Sequence, residues 1–133
     1  MRSLAREAVF KYIFSRLFNR DDEGLFDVLL KNQNLTEDDK VFARKLLNTA
    51  TENESRYISE IQNRSIGFNL NRIFNADKIC IIIGMTELEF FKDIPTAVVI
   101  DQAVNLAFKF STEKSTDFVN GILASFAKDY RKD

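Results

Sequence analysis

The spacing of apolar residues predicts helices along most of the chain. Over residues 3–18, apolar positions recur at steps of three and four, which is the period of a helix with one buried face. Ser3 is expected to cap the start of this helix. A polar break at residues 19–23 leads to a short second helix over residues 25–30, which is expected to end near residues 32–34.

The third predicted helix has a clear start signal. Thr36 is its expected N-cap, and three acids at residues 37–39 occupy the first turn, where the helix dipole favours negative charge. The apolar stripe that begins at Phe42 continues for many turns, so the pattern predicts one unbroken helix that ends near Gly67.

The second half of the chain predicts three further helices. Residues 79–85 are apolar on every side and are expected to be central in the fold, although their β-branched isoleucines leave a strand as an alternative. Pro95 suits the entry to the next helix, because the first turn does not need its missing N–H. Ser115 is expected to cap the last helix.

Composition favours an all-α fold without catalytic chemistry. Four glycines and one proline in 133 residues are too few for the many tight turns of a β-sandwich or barrel. The chain has no histidine, which excludes imidazole-based catalytic sites and the usual zinc and iron ligand sets. The single cysteine, Cys80, cannot form an internal disulfide. We therefore expect no enzyme activity, no metal and no cofactor.

Charge and hydropathy suggest where the protein works and what it meets. No apolar run is long enough to cross a bilayer, and the N-terminus lacks the apolar stretch of a signal peptide, so we expect a cytoplasmic protein and no membrane partner. The net charge of −1 hides an uneven distribution. Residues 1–20 hold five basic residues and one acid, whereas residues 21–40 hold seven acids and two lysines. One end of the chain is therefore suited to phosphate.

Two segments in the second half carry a family signature. Residues 94–107 are IPTAVVIDQAVNLA, and residues 115–123 are STDFVNGIL. Through these segments the sequence resembles the NusB family of transcription antitermination factors. Residues 5–9 and 77–88 also resemble the family's first helix and the helix before the signature, so the resemblance runs over essentially the whole chain.

The resemblance implies a fold and a function. The fold would be NusB-like and all-α, with two three-helix bundles packed across one another and sub-bundles over about residues 1–67 and 68–133. The protein would be an RNA-binding adaptor that pairs with a ribosomal protein, NusE, on a boxA-type segment of ribosomal RNA transcripts. This complex would help RNA polymerase read through termination signals.

The resemblance also implies functional residues. Family members meet RNA through a basic N-terminus and the start of the last helix, which correspond here to Arg2, Arg6 and Phe118, with Lys11 and Lys114 as nearby cations. Arginine offers a planar fork to phosphate, and an aromatic ring stacks on an unpaired base. Alanine at position 6 or 118 is expected to weaken RNA binding without affecting folding.

Other residues have expected roles outside the RNA surface. Phe14 and Asp77 match positions near the contact with the ribosomal protein, although Asp77 would equally serve as a helix cap. Gly121 is expected to permit close helix packing, since glycine inside a helix is otherwise unfavourable. Glu87 is expected to pair with an arginine such as Arg72.

Two other functions stay open at this stage. NusB-like domains also precede RNA cytosine methyltransferase domains, where they help to position RNA. Alternatively, the chain would be a structural module that associates with itself. The sequence leaves open whether the protein is a monomer or a homodimer.

Overall fold

The computed structural model describes residues 1–18, 23–32, 34–65 and 73–131, and every regular element in these ranges is a helix. The helices in chain order are α1 (Arg2–Arg16), α2 (Glu23–Asn32), α3 (Glu37–Glu52), α4 (Glu54–Arg64), α5 (Asn75–Phe90), α6 (Thr96–Phe110) and α7 (Ser115–Tyr130). The all-α prediction is confirmed, and the alternative of a strand over residues 79–85 is wrong, because these residues lie within α5.

The chain divides into two compact units, Met1–Asn48 and Thr49–Asp133. In the first unit, α1 packs against α2, and in the second, α5, α6 and α7 pack against one another, with α4 against α5 and α7. The predicted sub-bundle boundary near residue 67 lies within residues 66–72, outside the described part of the chain, and it stays a prediction.

Helix α1 begins one residue earlier than predicted. Met1 is its N-cap and no side chain caps the helix, so the prediction that Ser3 caps it is wrong. Instead, the ammonium of Met1 donates a hydrogen bond to the carboxylate of Asp39, in the first turn of α3. The helix buries Val9 and Ile13 on one face, as its apolar spacing predicted.

The start of α3 is a reciprocal capping arrangement. The backbone N–H of Asp39 donates to Oγ1 of Thr36 over 3.1 Å, and the N–H of Thr36 donates to Oδ2 of Asp39 over 3.3 Å. Both groups would otherwise lack a partner within the helix. The prediction of Thr36 as N-cap is confirmed.

The prediction of one helix from Thr36 to Gly67 is wrong, because the backbone leaves helical geometry at Asn53. This residue has φ −110° and ψ 9°, and it separates α3 from α4. Its side-chain Nδ2 donates to the carbonyl of Thr49 over 2.8 Å, and its Oδ1 accepts from Arg56 over 3.0 Å. A short amide side chain that bonds nearby groups in this way competes with the helical backbone. Gly67 lies outside the described residues.

Helix α5 is the buried centre of the second unit. Its residues from Ala76 to Leu88 are buried apart from Lys78, as its apolar composition predicted. A side-chain carbon at Gly84 would lie 2.6 Å from Cδ1 of Leu123, so α5 and α7 approach closely there. A side-chain carbon at Gly121 would have no neighbour within 4 Å. The prediction that Gly121 permits close packing is therefore wrong, and Gly84 has that role.

Arg131, which follows α7, binds the backbone at the C-terminal end of α5. The Arg131 guanidinium donates to the carbonyls of Leu88 (2.9 Å), Ile94 (2.5 Å), Phe91 (3.0 Å) and Glu87 (3.2 Å) and to Oγ1 of Thr96 (3.2 Å). Helix carbonyls at a C-terminus have no partner in their own helix. Arg131 supplies several of those partners and connects α7 to the segment that joins α5 to α6.

Candidate nucleic-acid interface

The first part of the candidate interface is the start of α1, where two arginines share one aromatic ring. The guanidinium carbon of Arg2 lies 4.5 Å from the centroid of the Phe42 ring, and that of Arg6 lies 5.2 Å from it. Arg2 is exposed, whereas Arg6 is only 4% exposed. Arg2 can therefore reach a phosphate while it rests on Phe42, and Arg6 contributes to the packing of the unit. Its burial contradicts the expectation that alanine at position 6 leaves folding unchanged.

A carboxylate limits the positive charge at this end of the molecule. Asp39 accepts hydrogen bonds from the Met1 ammonium and from the Thr36 N–H. These bonds, the one from the ammonium above all, hold the pKa of Asp39 below its ordinary value. The carboxylate is therefore ionised at neutral pH and offsets the terminal ammonium, so the net positive charge of the surface comes from side chains such as Arg2.

The second part of the candidate interface is an aromatic row farther along α1. The rings of Phe10 and Phe14 are stacked with centroids 5.8 Å apart, and those of Phe14 and Phe18 are 5.2 Å apart. Phe10 is buried, Phe14 and Lys11 are half-buried, and Phe18 is 70% exposed. Phe18 was not among the predicted partner residues. Its four-residue spacing from Phe14 was the available signal.

The third part is a pocket of about 410 Å³ in the second unit, where the start of α5 meets the start of α7. Its walls include Phe74 and Asp77 on one side and Lys114 and Phe118 on the other. The pocket thus brings together three of the residues that the sequence indicated. Phe118 is half-buried, and Lys114 is exposed. The volume lies within the roughly 300–1,000 Å³ that is typical of small-molecule sites.

Hydroxyl groups order the segment that presents Lys114. Ser115 is the first residue of α7 and is buried, with its Oγ 2.8 Å from Oγ1 of Thr112 and 3.1 Å from Oγ of Ser111. Its N–H donates to Oγ1 of Thr112 over 3.1 Å. Lys114 is the N-cap and no side chain caps the helix, so the prediction that Ser115 caps α7 is wrong. These hydrogen bonds, centred on the buried Ser115, order the turn that carries the lysine.

Asp77 is the unusual group in this pocket. Its side chain is in the first turn of α5, yet the N-cap is Phe74 and no side-chain hydrogen bond caps the helix. The residue is 5% exposed, and its Oδ1 is shielded from water without any hydrogen-bond partner. A capping role for Asp77 is therefore not observed. A buried carboxylate oxygen without a donor is energetically costly.

Two further features complete the description of the candidate residues. Glu87 is buried at 1% exposure, but Arg72, its expected partner, lies outside the described residues. Within the described ranges, none of the helices combines the length and the apolar character that a membrane span requires.

A basic helix start and a pocket with a cation and an aromatic ring, on an all-helical scaffold, are typical of an RNA-binding adaptor. Comparison with known proteins identifies the class further. A family model described as the NusB family matches residues 2–128. The transcription antitermination protein NusB of Natranaerobius thermophilus is 33% identical, with coverage of 98% of this chain and 97% of that protein.

Solved structures agree with this match. NusB of T. maritima superposes with a TM-score of 0.89 at 34% identity, over 99% of this chain and 94% of that one. A crystal structure of antitermination factors NusB and NusE in complex with double-stranded RNA gives a TM-score of 0.84 at 27% identity, over 97% of each chain. The chain belongs to the NusB family. The relatives that match over the whole chain are antitermination proteins and not enzymes, which confirms that part of the prediction.

Proposed function

We propose that this chain, together with the ribosomal protein NusE, binds a boxA-type single-stranded segment of ribosomal RNA transcripts in the cytoplasm. The complex would then promote read-through by RNA polymerase. The proposal rests on the family membership and on the related NusB that was crystallised with NusE and RNA. The observation that carries it to particular residues is the pocket that contains Lys114 and Phe118 at the start of α7.

The start of α7 has the chemistry that single-stranded RNA requires. Lys114 is exposed and has no ion-pair partner within the described residues, so its charge is available to a phosphate. The ring of Phe118 is half-buried, which leaves part of it accessible for stacking on an unpaired base. Asp117 is exposed beside Phe118 and would lower the affinity for phosphate.

The start of α1 supplies a second set of phosphate contacts. Arg2 makes the direct contact, because it is exposed and oriented by the Phe42 ring. Arg6 and Lys11 add positive charge next to it, Arg6 from a buried position and Lys11 from a half-buried one. So few direct contacts give modest affinity. A protein partner that adds surface would explain how binding becomes strong enough for function.

The aromatic row on α1 is our candidate for the contact with NusE. Phe14 is the residue that the family resemblance assigns, and the exposed ring of Phe18 extends the same row. Exposed aromatic rings are typical of the centres of protein interfaces. The resemblance assigns Asp77 to the same contact.

The proposal is tested by the binding of labelled boxA RNA, measured by fluorescence anisotropy with and without NusE and against a scrambled RNA. We expect boxA to bind more tightly than the scrambled RNA, and NusE to increase the difference. Lys114→Ala and Phe118→Ala should weaken binding by about 5- to 30-fold each. Lys128→Ala, an exposed cation near the other end of α7, is the matched control.

The salt dependence provides an independent measurement. Removal of one phosphate contact by Lys114→Ala should reduce the slope of log affinity against log salt by about 0.7, whereas Phe118→Ala should leave it unchanged. A transcription assay with a terminator downstream of boxA then measures read-through. Equal binding of boxA and scrambled RNA in every combination would contradict the proposal.

A further inference from the structure

We propose that Phe42 is a positioning residue for RNA binding: its ring holds the guanidinium of Arg2 in place and makes position 2 specific for arginine rather than lysine. This inference rests on the proposed RNA-binding function and adds to it a buried residue that does not itself reach the RNA. The observations that carry it are the Arg2 guanidinium over a buried ring and a second arginine–phenylalanine pair in the same unit, whose arginine is already neutralised.

The ring of Phe42 is a fixed support, because α3 holds it inside the first unit. Phe42 is 5% exposed, so close packing restricts its motion. It follows Asp39 by three residues and therefore lies on the same face of α3 as the carboxylate that accepts from the Met1 ammonium. That hydrogen bond and the ring contact with Arg2 join the start of α1 to the first turns of α3 at two consecutive residues of α1.

The guanidinium of Arg2 is supported by the ring and open to RNA. Its carbon lies over the Phe42 ring, 4.5 Å from the centroid, while the residue is exposed. Within the described ranges, no carboxylate pairs with Arg2. A guanidinium that packs on a ring through its flat face keeps the N–H donors of its plane available to a phosphate. Arg2 therefore combines a fixed position with donors that RNA can use.

The support matters because an exposed arginine is otherwise flexible. Ordering its side chain on a phosphate costs conformational entropy, which lowers the affinity. A ring contact that restricts the side chain before RNA arrives reduces this cost. The contact also selects the residue type, because a guanidinium packs flat on an aromatic ring, whereas a lysine ammonium is compact and strongly hydrated. Lysine at position 2 would keep the charge but lose most of the support.

A second pair of the same kind supplies the matched comparison. The guanidinium carbon of Arg44 lies 5.8 Å from the centroid of the Phe26 ring, and Phe26 is 5% exposed, like Phe42. Nη2 of Arg44, however, lies 2.6 Å from Oδ1 of Asp27, so an ion pair already neutralises this cation. The two rings are alike in burial and in having an arginine over them. Only the Phe42 ring supports an exposed arginine whose charge is available to RNA.

The test is a double-mutant cycle between positions 2 and 42, with the affinity for labelled boxA RNA measured by fluorescence anisotropy in the presence of NusE. Phe42→Leu should weaken binding by about two- to fivefold, as the loss of one exposed cation–ring contact predicts. In an Arg2→Ala background, the same substitution should have no further effect, because the arginine that the ring supports is absent. Phe26→Leu should lower Tm as Phe42→Leu does, since both remove a buried ring, but should leave the affinity unchanged.

Arg2→Lys tests the specificity without any change in the core. The charge is retained, so the slope of log affinity against log salt should equal that of the wild type. The affinity should nevertheless fall by about twofold or more, because the ammonium packs less well on the ring. In the Phe42→Leu background, arginine and lysine at position 2 should bind RNA equally.

The outcomes separate this inference from the function on which it rests. If Phe42→Leu weakens binding equally with and without Arg2, or if Phe26→Leu weakens it as much, the effect comes from the fold and the inference is overturned. If Arg2→Lys binds as tightly as the wild type, the ring does not select arginine and the inference is overturned, whether or not Phe42→Leu folds. If the wild type binds boxA and scrambled RNA equally, the proposed function fails first.

Discussion

Replacement of Arg131 by alanine should destabilise the second unit by about 2–4 kcal/mol. The guanidinium donates five hydrogen bonds, four of them to main-chain carbonyls around the end of α5. Within the described residues, the carbonyls of Leu88 and Ile94 accept no backbone N–H, so they lose their donor in the variant. Bonds to a charged group contribute about 1.5–3 kcal/mol each. Because Arg131 is half-buried, water replaces some of these hydrogen bonds in the variant. The expected loss of stability is therefore well below the sum over five bonds.

Thermal and urea unfolding, followed by circular dichroism, measure this change. For a chain of this size, the loss corresponds to a decrease in Tm of roughly 5–15 °C. Arg131→Lys should recover less than half of the lost stability, because one ammonium group cannot donate to all the acceptors that the planar guanidinium reaches at once. Lys128→Ala, which removes an exposed cation three residues earlier, should change stability by less than about 0.5 kcal/mol. A fully stable Arg131→Lys would show that the planar guanidinium is not required. A fully stable Arg131→Ala would show that Arg131 does not stabilise the second unit.

Three further predictions follow from particular contacts. Gly121→Ala should stabilise the protein by up to about 1 kcal/mol, because helix propensity rises and the added carbon has no neighbour within 4 Å. Gly84→Ala should lower Tm, because the added carbon clashes with Leu123. Equal shifts of the two variants' urea midpoints would contradict this difference in packing. Asp39→Asn should destabilise the protein above pH 4 and lose its effect in more acidic solution. The reason is that the pKa of Asp39 is lowered in the folded state, so the stability that its carboxylate contributes disappears as the pH falls through that pKa. Unfolding midpoints of both proteins from pH 2 to 7 test this. Arg6→Ala should lower Tm because Arg6 is buried, and Arg2→Ala should weaken RNA binding at an unchanged Tm because Arg2 is exposed. Melting and anisotropy assays on both variants test this. The reverse pattern would exchange the roles of the two arginines.

Helix periodicity predicted most of the fold because it reports a property of each segment alone. The apolar steps over residues 3–18 and 79–85 require only that one face, or every face, of a helix be buried. The capping of α3 by Thr36 is equally local, since it depends on residues three positions apart. Such features can be predicted without knowing which residues lie across the core.

The features that the sequence did not predict depend on neighbours in space. The unfavourable glycine in α7 was visible, but only the position of Leu123 shows that Gly84 is the residue at which α5 and α7 approach closely. The break at Asn53 is an exception, because it is accompanied by local bonds from its side chain to Thr49 and Arg56, which the apolar spacing does not report. Nothing in the spacing of basic residues distinguishes the exposed Arg2 from the buried Arg6.

The candidate site shows the same division. The family resemblance indicated Phe118 and Asp77, with Lys114 as a nearby cation, and the pocket brings all three together. The unsatisfied oxygen of Asp77 has no signature in the sequence, because it depends on which donors the folded chain fails to provide.

The hydrogen bond from the Met1 ammonium to Asp39 determines how the protein should be produced for these experiments. An affinity tag or a retained formyl group at the N-terminus would convert the ammonium to a neutral amide and leave Asp39 without its strongest donor. Arg2 is the next residue, so such an extension would also crowd the arginine that we expect to contact RNA. Binding constants for N-terminally tagged protein would therefore describe an altered surface, and a free first residue is a requirement of the assay.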